Sequence, residues 1–139
     1  MFTRRRARYC GGRMSKTCTQ VAVVDDEHSI RIALQRLIRS AGLGVMTYAS
    51  GEDFLQDLDT RQPDCVVLDL HMPKVTGFEV QCRLAQMEKH IPVIVITGHD
   101  TPEARTRALK NGAAAYLLKP VDDRMLLDAI AAAVADKAA

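Results

Sequence analysis

The stretch Cys65-Val66-Val67-Leu68-Asp69 is a short apolar run that ends in a carboxylate. Polar and apolar side chains do not alternate along it, which is typical of a parallel strand buried on both faces. The segment 91–96 has the same character. The sequence therefore predicts two central strands of a parallel sheet.

Three further apolar runs accompany these two along the chain. The five predicted strands are Gln20–Val24, Gly44–Tyr48, Cys65–Asp69, 91–96 and 114–118. Amphipathic segments separate them, and such an alternation is typical of a parallel sheet covered by helices. We therefore predict an α/β fold.

The segments between the strands carry helix signals. Ile30, Leu34 and Ile38 recur at the helical period ahead of Gly42, which predicts a core-facing helix that ends at the glycine. Further end signals are Ser50 with Asp53, which resemble a capping box, Thr101 with Pro102, which suit a start, and Asn111 with Gly112, which suit a stop. A final helix takes its apolar face from Leu126, Leu127, Ile130, Ala133 and Val134.

The composition suits one soluble globular domain with a real core. The chain has 139 residues, of which 47% are hydrophobic and 26% charged. It has no apolar run of the roughly 20 residues that a membrane span needs and no secretory signal, so we expect a cytoplasmic protein. Its cysteines lack the spacing of metal ligands, and neither a disulfide framework nor a zinc site is indicated: Cys10, Cys18, Cys65 and Cys82.

The formal net charge of +2 comes from an arginine-rich N-terminus. From Met14 onward the chain is mildly acidic, which argues against a DNA-binding surface on the globular part. We predict a basic, disordered tail at 1–17 and a folded domain at 18–139. A basic arm that touches phosphates or anionic lipid, and a true start at Met14, are alternatives for the tail.

Polar side chains follow four of the five predicted strands. Asp25 and Asp26 follow the first strand, Asp69 ends the third, Thr97 follows the fourth and Lys119 follows the fifth. In a doubly wound sheet, ligands bind at the carboxyl ends of the strands. The sequence therefore predicts a site at this edge of the sheet.

Three carboxylates at one edge repel one another. A pair about 4 Å apart costs about 4 kcal/mol at an effective dielectric constant near 20. A hard cation with oxygen ligands offsets this cost, and a site with few carboxylates suits Mg²⁺ better than Ca²⁺. With Lys119 as a second cation and Thr97 as a hydroxyl donor, Asp69 is the best candidate for a nucleophile toward phosphorus.

Four motifs in this order resemble the receiver family of response regulators. They are Val23-Val24-Asp25-Asp26-Glu27, Val67-Leu68-Asp69-Leu70-His71-Met72-Pro73, Val95-Ile96-Thr97-Gly98 and Leu118-Lys119-Pro120. The resemblance covers about residues 20–136, and the segment 97–100 is similar to regulators of the nitrogen-fixation type. The resemblance implies a flavodoxin-like sheet in the order 2-1-3-4-5 with helices on both faces, an order that is common among doubly wound folds.

The resemblance also implies roles for individual residues. Asp69 would accept a phosphoryl group, while Mg²⁺ would be held by Asp69, Asp26, the carbonyl of His71 and, through water, Asp25. Thr97 and Lys119 would contact the phosphoryl group. Tyr116 would be a switch that follows Thr97, although by physics alone it could be an ordinary strand aromatic. His71 and His99 either tune the lifetime of the phosphoryl group or are solvated loop histidines.

The predicted function is that of a stand-alone receiver, which is not an enzyme beyond catalysing its own phosphorylation and dephosphorylation. A histidine kinase or a phosphotransfer protein would donate the phosphoryl group, and the fourth helix, fifth strand and fifth helix would then present a changed surface to an unknown downstream protein or to a second copy of the chain. One alternative is the receiver part of a transcription factor. An aspartate-nucleophile phosphohydrolase is a weaker alternative, because His71 stands where such enzymes carry a second aspartate.

Overall fold

The computed structural model describes residues 8–10, 13–15 and 19–138. Within them, five parallel strands form one sheet, in the order β2-β1-β3-β4-β5. The strands are β1 (Gln20–Val24), β2 (Gly44–Tyr48), β3 (Cys65–Asp69), β4 (Val93–Thr97) and β5 (Ala115–Leu118). The predicted fold class and strand order are confirmed.

Five helices cover the two faces of this sheet. They are α1 (His28–Ser40), α2 (Gly51–Asp57), α3 (Gly77–Ala85), α4 (Pro102–Lys110) and α5 (Asp123–Ala138). Side chains of α1 and α5 pack in one core, beneath Val21, Val23 and Val67. Side chains of α2, α3 and α4 pack in the other, against Val66 and Leu68. Successive β3 residues therefore feed opposite cores, which explains why the strand shows no polar alternation.

The central strands agree with the sequence prediction. Every residue of β3 and β4 is buried. However, β4 begins at Val93 and β5 at Ala115, later than the predicted starts at 91 and 114. Pro92 has no N–H to give to a ladder and contributes only its carbonyl oxygen, which accepts from Val66 N.

The predicted helix ends also have physical counterparts. Gly42 and Gly112 adopt left-handed φ angles of 82° and 99° after α1 and α4. Thr101 caps α4 by accepting from Ala104 N. Ser50 caps α2 in the same way. The complete reciprocal capping box is formed at α3, between Thr76 and Glu79, where the sequence analysis did not place one.

Two short strands precede the sheet. Arg8–Cys10 and Arg13–Ser15 pair in antiparallel fashion, in a segment for which the sequence predicted a disordered tail. Residues 1–7, 11–12 and 16–18 lie outside the described residues, and the division of the chain at 17 stays a prediction. In the described part of the chain, no helix has the length and apolar character needed to cross a bilayer.

Candidate functional site

Three carboxylates meet at the carboxyl edge of the sheet. Asp25 and Asp26 follow β1, and Asp69 ends the neighbouring strand β3. One ligand oxygen from each lies within 4.8 Å of the other two. Asp25 is 0% exposed and Asp69 is 3% exposed, whereas Asp26 lies open to solvent. The predicted convergence of these residues is therefore present in the structure.

Lys119 lies among these carboxylates after crossing from the far edge strand. Its Nζ is 2.9 Å from Asp25 Oδ2 and 3.5 Å from Asp69 Oδ1. It is also 3.2 Å from Glu27 Oε1. Burial lowers the pKa of Lys119, but the carboxylates of Asp25, Asp69 and Glu27 outweigh burial and raise it overall. Lys119 is therefore a fixed cation at neutral pH.

Glu27 and Arg31 take part in the site although the sequence analysis assigned them no role. Besides its ion pair with Lys119, Glu27 donates its backbone N–H to Asp25 Oδ1 over 2.9 Å. Arg31 Nη1 donates to the Asp25 carbonyl oxygen over 2.8 Å. Glu27 stands inside the acidic run after β1, which was an available signal. Nothing in the sequence indicated a role for Arg31, because its bond to the Asp25 carbonyl oxygen depends on how α1 packs.

The Asp69 carboxylate is held in an unusual electrostatic environment. Burial and, after it, the Asp25 carboxylate raise the pKa of Asp69 to about 6, against the opposing influence of Lys119. The backbone N–H of His71 also lies 3.4 Å from Asp69 Oδ1. The ionised form of Asp69 is therefore costly here, and an additional cation at the three carboxylates would favour it.

Thr97 lies at the end of β4, close to both histidines of the predicted site. Its Oγ1 accepts from the backbone N–H of His99 over 3.0 Å and lies 3.3 Å from Nδ1 of His71. The two imidazole rings are 4.9 Å apart between centroids. Burial, followed by His99 and Lys119, lowers the pKa of His71. Both histidines thus flank the Thr97 hydroxyl at the rim of the site.

Tyr116 lies on β5 and pairs with Val95 of β4 in the sheet register. Thr97 pairs with Leu118, two residues further along β5. Side chains two residues apart share a sheet face, so Tyr116 and Thr97 are on the same side. The guanidinium of Arg105 lies over the Tyr116 ring at 4.7 Å, and the hydroxyl is buried. Burial and the nearby Asp100 carboxylate raise the pKa of Tyr116.

The donor set fits a hard divalent cation. All three side chains that converge at the edge offer carboxylate oxygens, which are the ligands that Mg²⁺ prefers. Asp26 is exposed on the solvent side, so an ion at this position could also keep water ligands. The His71 carbonyl stays a predicted ligand.

Known proteins match this chain over most of its length. A sequence model described as the response regulator receiver domain matches residues 21–131. Nodulation protein W of Bradyrhizobium diazoefficiens is 42% identical over 113 residues, which cover 81% of this chain and 50% of that protein. Response regulator protein TodT of Pseudomonas putida is 36% identical over 121 residues, which cover 87% of this chain and 53% of that protein. The chain spans about half the length of these relatives.

A solved structure agrees with the sequence matches. The crystal structure of a response regulator receiver protein from Burkholderia phymatum superimposes with a TM-score of 0.75 and is 44% identical, covering 84% of this chain and 95% of that one. Fold, sequence and the order of the motifs agree along the same residues. The chain therefore belongs to the response regulator receiver family.

Proposed function

We propose that this chain is a phosphorylation switch that accepts a phosphoryl group on Asp69 in the presence of Mg²⁺. The observation that carries this proposal is the grouping of three carboxylates within 4.8 Å, with Lys119 beside the two buried ones. This combination offers a nucleophile, a cation site and a fixed positive charge at one edge of the sheet. Membership of the receiver family supports it.

The cation would be held by Asp26, Asp69 and the His71 carbonyl, with Asp25 acting through water. Once bound, Mg²⁺ would neutralise negative charge on the phosphoryl oxygens. Lys119 adds a second positive charge from the protein itself. The Thr97 hydroxyl can donate to a phosphoryl oxygen once its contact with His71 is given up.

The transfer forms one bond and breaks another. An Asp69 carboxylate oxygen attacks phosphorus, and the bond between phosphorus and the donor's imidazole nitrogen breaks, its electron pair leaving with the imidazole. The donor is a sensor histidine kinase or a phosphotransfer protein. The chain itself is not an enzyme for another substrate, since it acts only on its own phosphoryl group.

The phosphoryl group then changes a protein surface. Thr97 and Tyr116 share one sheet face, and Arg105 of α4 lies over the Tyr116 ring, which supports a response of β5 and α4, together with α5, to a shift of Thr97. A downstream protein or a second copy of the chain would bind the changed surface with a different affinity. Since the chain spans about half of its relatives, both the stand-alone role and the role as part of a transcription factor stay predictions.

The acceptor assignment is tested by incubating the protein with acetyl phosphate and Mg²⁺ and measuring its intact mass. We expect one added phosphoryl group in the wild type and none in Asp69→Asn. Asp59→Asn is the control, since Asp59 is an exposed aspartate after α2, and it should be labelled like the wild type. Labelling that persists in Asp69→Asn would overturn the assignment.

His71 and His99 are proposed to tune how long the phosphoryl group lasts. Both flank Thr97, where a ring nitrogen can orient water toward the acyl phosphate. We expect the decay of the phosphorylated protein to change by severalfold in His71→Ala or His99→Ala. His90→Ala, at an exposed position away from the site, should decay like the wild type. Unchanged half-lives in both rim variants would make the two residues ordinary loop histidines.

A further inference from the structure

Helix α4 is anchored to the domain by very little buried apolar surface. Of its nine residues, Ala108 is the one that is buried, and most of the others are charged or polar. Elements with few buried apolar groups are among the parts of a fold that move most easily. Polar contacts with neighbouring elements therefore decide where α4 lies.

Gln81 of α3 makes such a contact at the buried residue itself. Gln81 is 2% exposed, and its Nε2 donates to the carbonyl oxygen of Ala108 over 2.9 Å. The same oxygen accepts from Ala113 N over 3.1 Å, in the segment that leads to Tyr116. One buried amide thus connects α3 with the last turn of α4 and with the approach to β5.

The Gln81 amide is only half satisfied in this arrangement. A carbonyl oxygen only accepts, so the amide nitrogen must face Ala108. The other end of the amide, Oε1, is buried and has no hydrogen-bond partner among the residues that the structure describes. A buried acceptor without a partner costs free energy. The bonded arrangement therefore competes with one in which α4 moves and the bond between Gln81 and Ala108 is broken.

The N-terminal end of α4 is held by contacts with residues close to the candidate site. Arg105 pairs with Asp100 at 3.5 Å and lies over Tyr116 at 4.7 Å. Asp100 follows closely on Thr97 in the chain. The helix thus contacts residues near Thr97 at its start and Gln81 near its end. A movement of α4 that begins at Thr97 would therefore reach the Gln81 bond as well.

We propose that Gln81 is a latch, whose bond to Ala108 holds α4 in the phosphoryl-free arrangement and breaks when the domain switches. Gln81 is a positioning residue, since it acts through α4. The proposal rests on the proposed function, because only a domain that responds at Asp69 has a second arrangement to reach. It adds to that function a residue that sets the equilibrium between the two arrangements of α4.

The latch is tested with the full chain, Mg²⁺ and beryllofluoride as a phosphoryl mimic. Gln81→Met keeps the shape of the side chain but removes the donor. Because a single hydrogen bond is lost from one arrangement only, we expect half-saturation at a beryllofluoride concentration about threefold to tenfold lower than in the wild type. Gln86→Met, at the exposed C-cap of α3, should match the wild type. An unchanged or higher concentration in Gln81→Met overturns the latch.

A second measurement needs no substitution of Gln81. In nitrogen-15 NMR spectra of the wild type, the side-chain amide signal of Gln81 should move when beryllofluoride binds, and Asp69→Asn should abolish that movement. A wild type that responds around Thr97 while its Gln81 signal stays fixed overturns the latch and leaves the proposed function standing. A wild type that responds nowhere overturns the proposed function, and the latch with it.

Discussion

Asp69 contributes its backbone as well as its carboxylate to the architecture of the site. Its carbonyl lies so close to the start of α3 that a Cβ built on Gly77 would stand 2.5 Å from the Asp69 oxygen and 2.7 Å from Leu70 Cα. Both neighbours are backbone atoms and cannot swing aside. Position 77 therefore needs glycine, because a side chain has no space there. The backbone N–H of Gly77 also donates to the Leu70 carbonyl oxygen.

This close approach gives a prediction for Gly77→Ala. Overpacking of this kind costs about 1–3 kcal/mol, and we expect that loss in the free energy of unfolding measured with urea. Gly98→Ala is a matched control, because the nearest atom to its new Cβ, Lys119 Cδ, would be 3.9 Å away. Equal stability losses in the two variants would contradict the steric argument.

The contact between β2 and α2 depends on a tyrosine hydroxyl. Tyr48 donates to Asp57 Oδ2, and its ring meets Phe54 edge to face at 5.3 Å. Burial, followed by the bond to Asp57, raises the pKa of Tyr48 to about 12. The folded state therefore favours the neutral hydroxyl more strongly than the unfolded state does.

The sign of the resulting pH dependence follows from linkage. The contribution of Tyr48 to stability is complete below its ordinary pKa of about 10 and is lost as pH rises toward about 12. Urea unfolding between about pH 9 and about pH 11 should show a smaller loss of stability in Tyr48→Phe than in the wild type. Tyr116 titrates in both proteins, so the difference reports on Tyr48. The same pH dependence in both proteins would exclude the proposed role of the hydroxyl.

The elements differ in how far the sequence could predict them. The bounds of β1, β2 and β3 match the apolar runs. In β1 and β3 the pattern is continuous because nearly every residue is buried. The start of β4 was predicted two residues too early. The apolar run includes Pro92, which has no N–H to donate to a neighbouring strand, so the strand begins only after it. The set of carboxylates was predictable because strand ends of a parallel sheet share one edge.

Other parts of the site could not be predicted from the sequence. The ion pair between Glu27 and Lys119 joins residues 92 positions apart, and the bond from Gln81 to α4 spans 27. Neither residue type nor spacing identifies such partners, because they depend on how the side chains pack. Membership of the family predicted the acceptor position but not these contacts.

The three carboxylates Asp25, Asp26 and Asp69 lie at one edge of the sheet that separates the two cores. Asp25 and Asp69 are buried, and burial, followed by the Asp25 carboxylate, raises the pKa of Asp69 although Lys119 opposes the shift. A cation that binds the folded state alone stabilises it, by about 2.7 kcal/mol at a concentration one hundredfold above Kd. Stability of the domain should therefore depend on Mg²⁺.

Asp26 separates this linkage from the intrinsic stability of the fold. Because its side chain is exposed, Asp26→Asn should change the free energy of unfolding without Mg²⁺ by no more than about 0.5 kcal/mol. The same variant should lose most of the increase in melting temperature that Mg²⁺ produces in the wild type. Asp59→Asn should keep that increase. A full Mg²⁺ effect in Asp26→Asn would show that the ion binds elsewhere.

The acyl phosphate itself can be located in the chain. Borohydride reduces an aspartyl phosphate to homoserine, so the protein is treated with acetyl phosphate and Mg²⁺, reduced, digested and sequenced by mass spectrometry. We predict homoserine at position 69 alone, and none when acetyl phosphate is omitted. Homoserine at Asp25, Asp26 or another position, with aspartate intact at 69, would contradict the account.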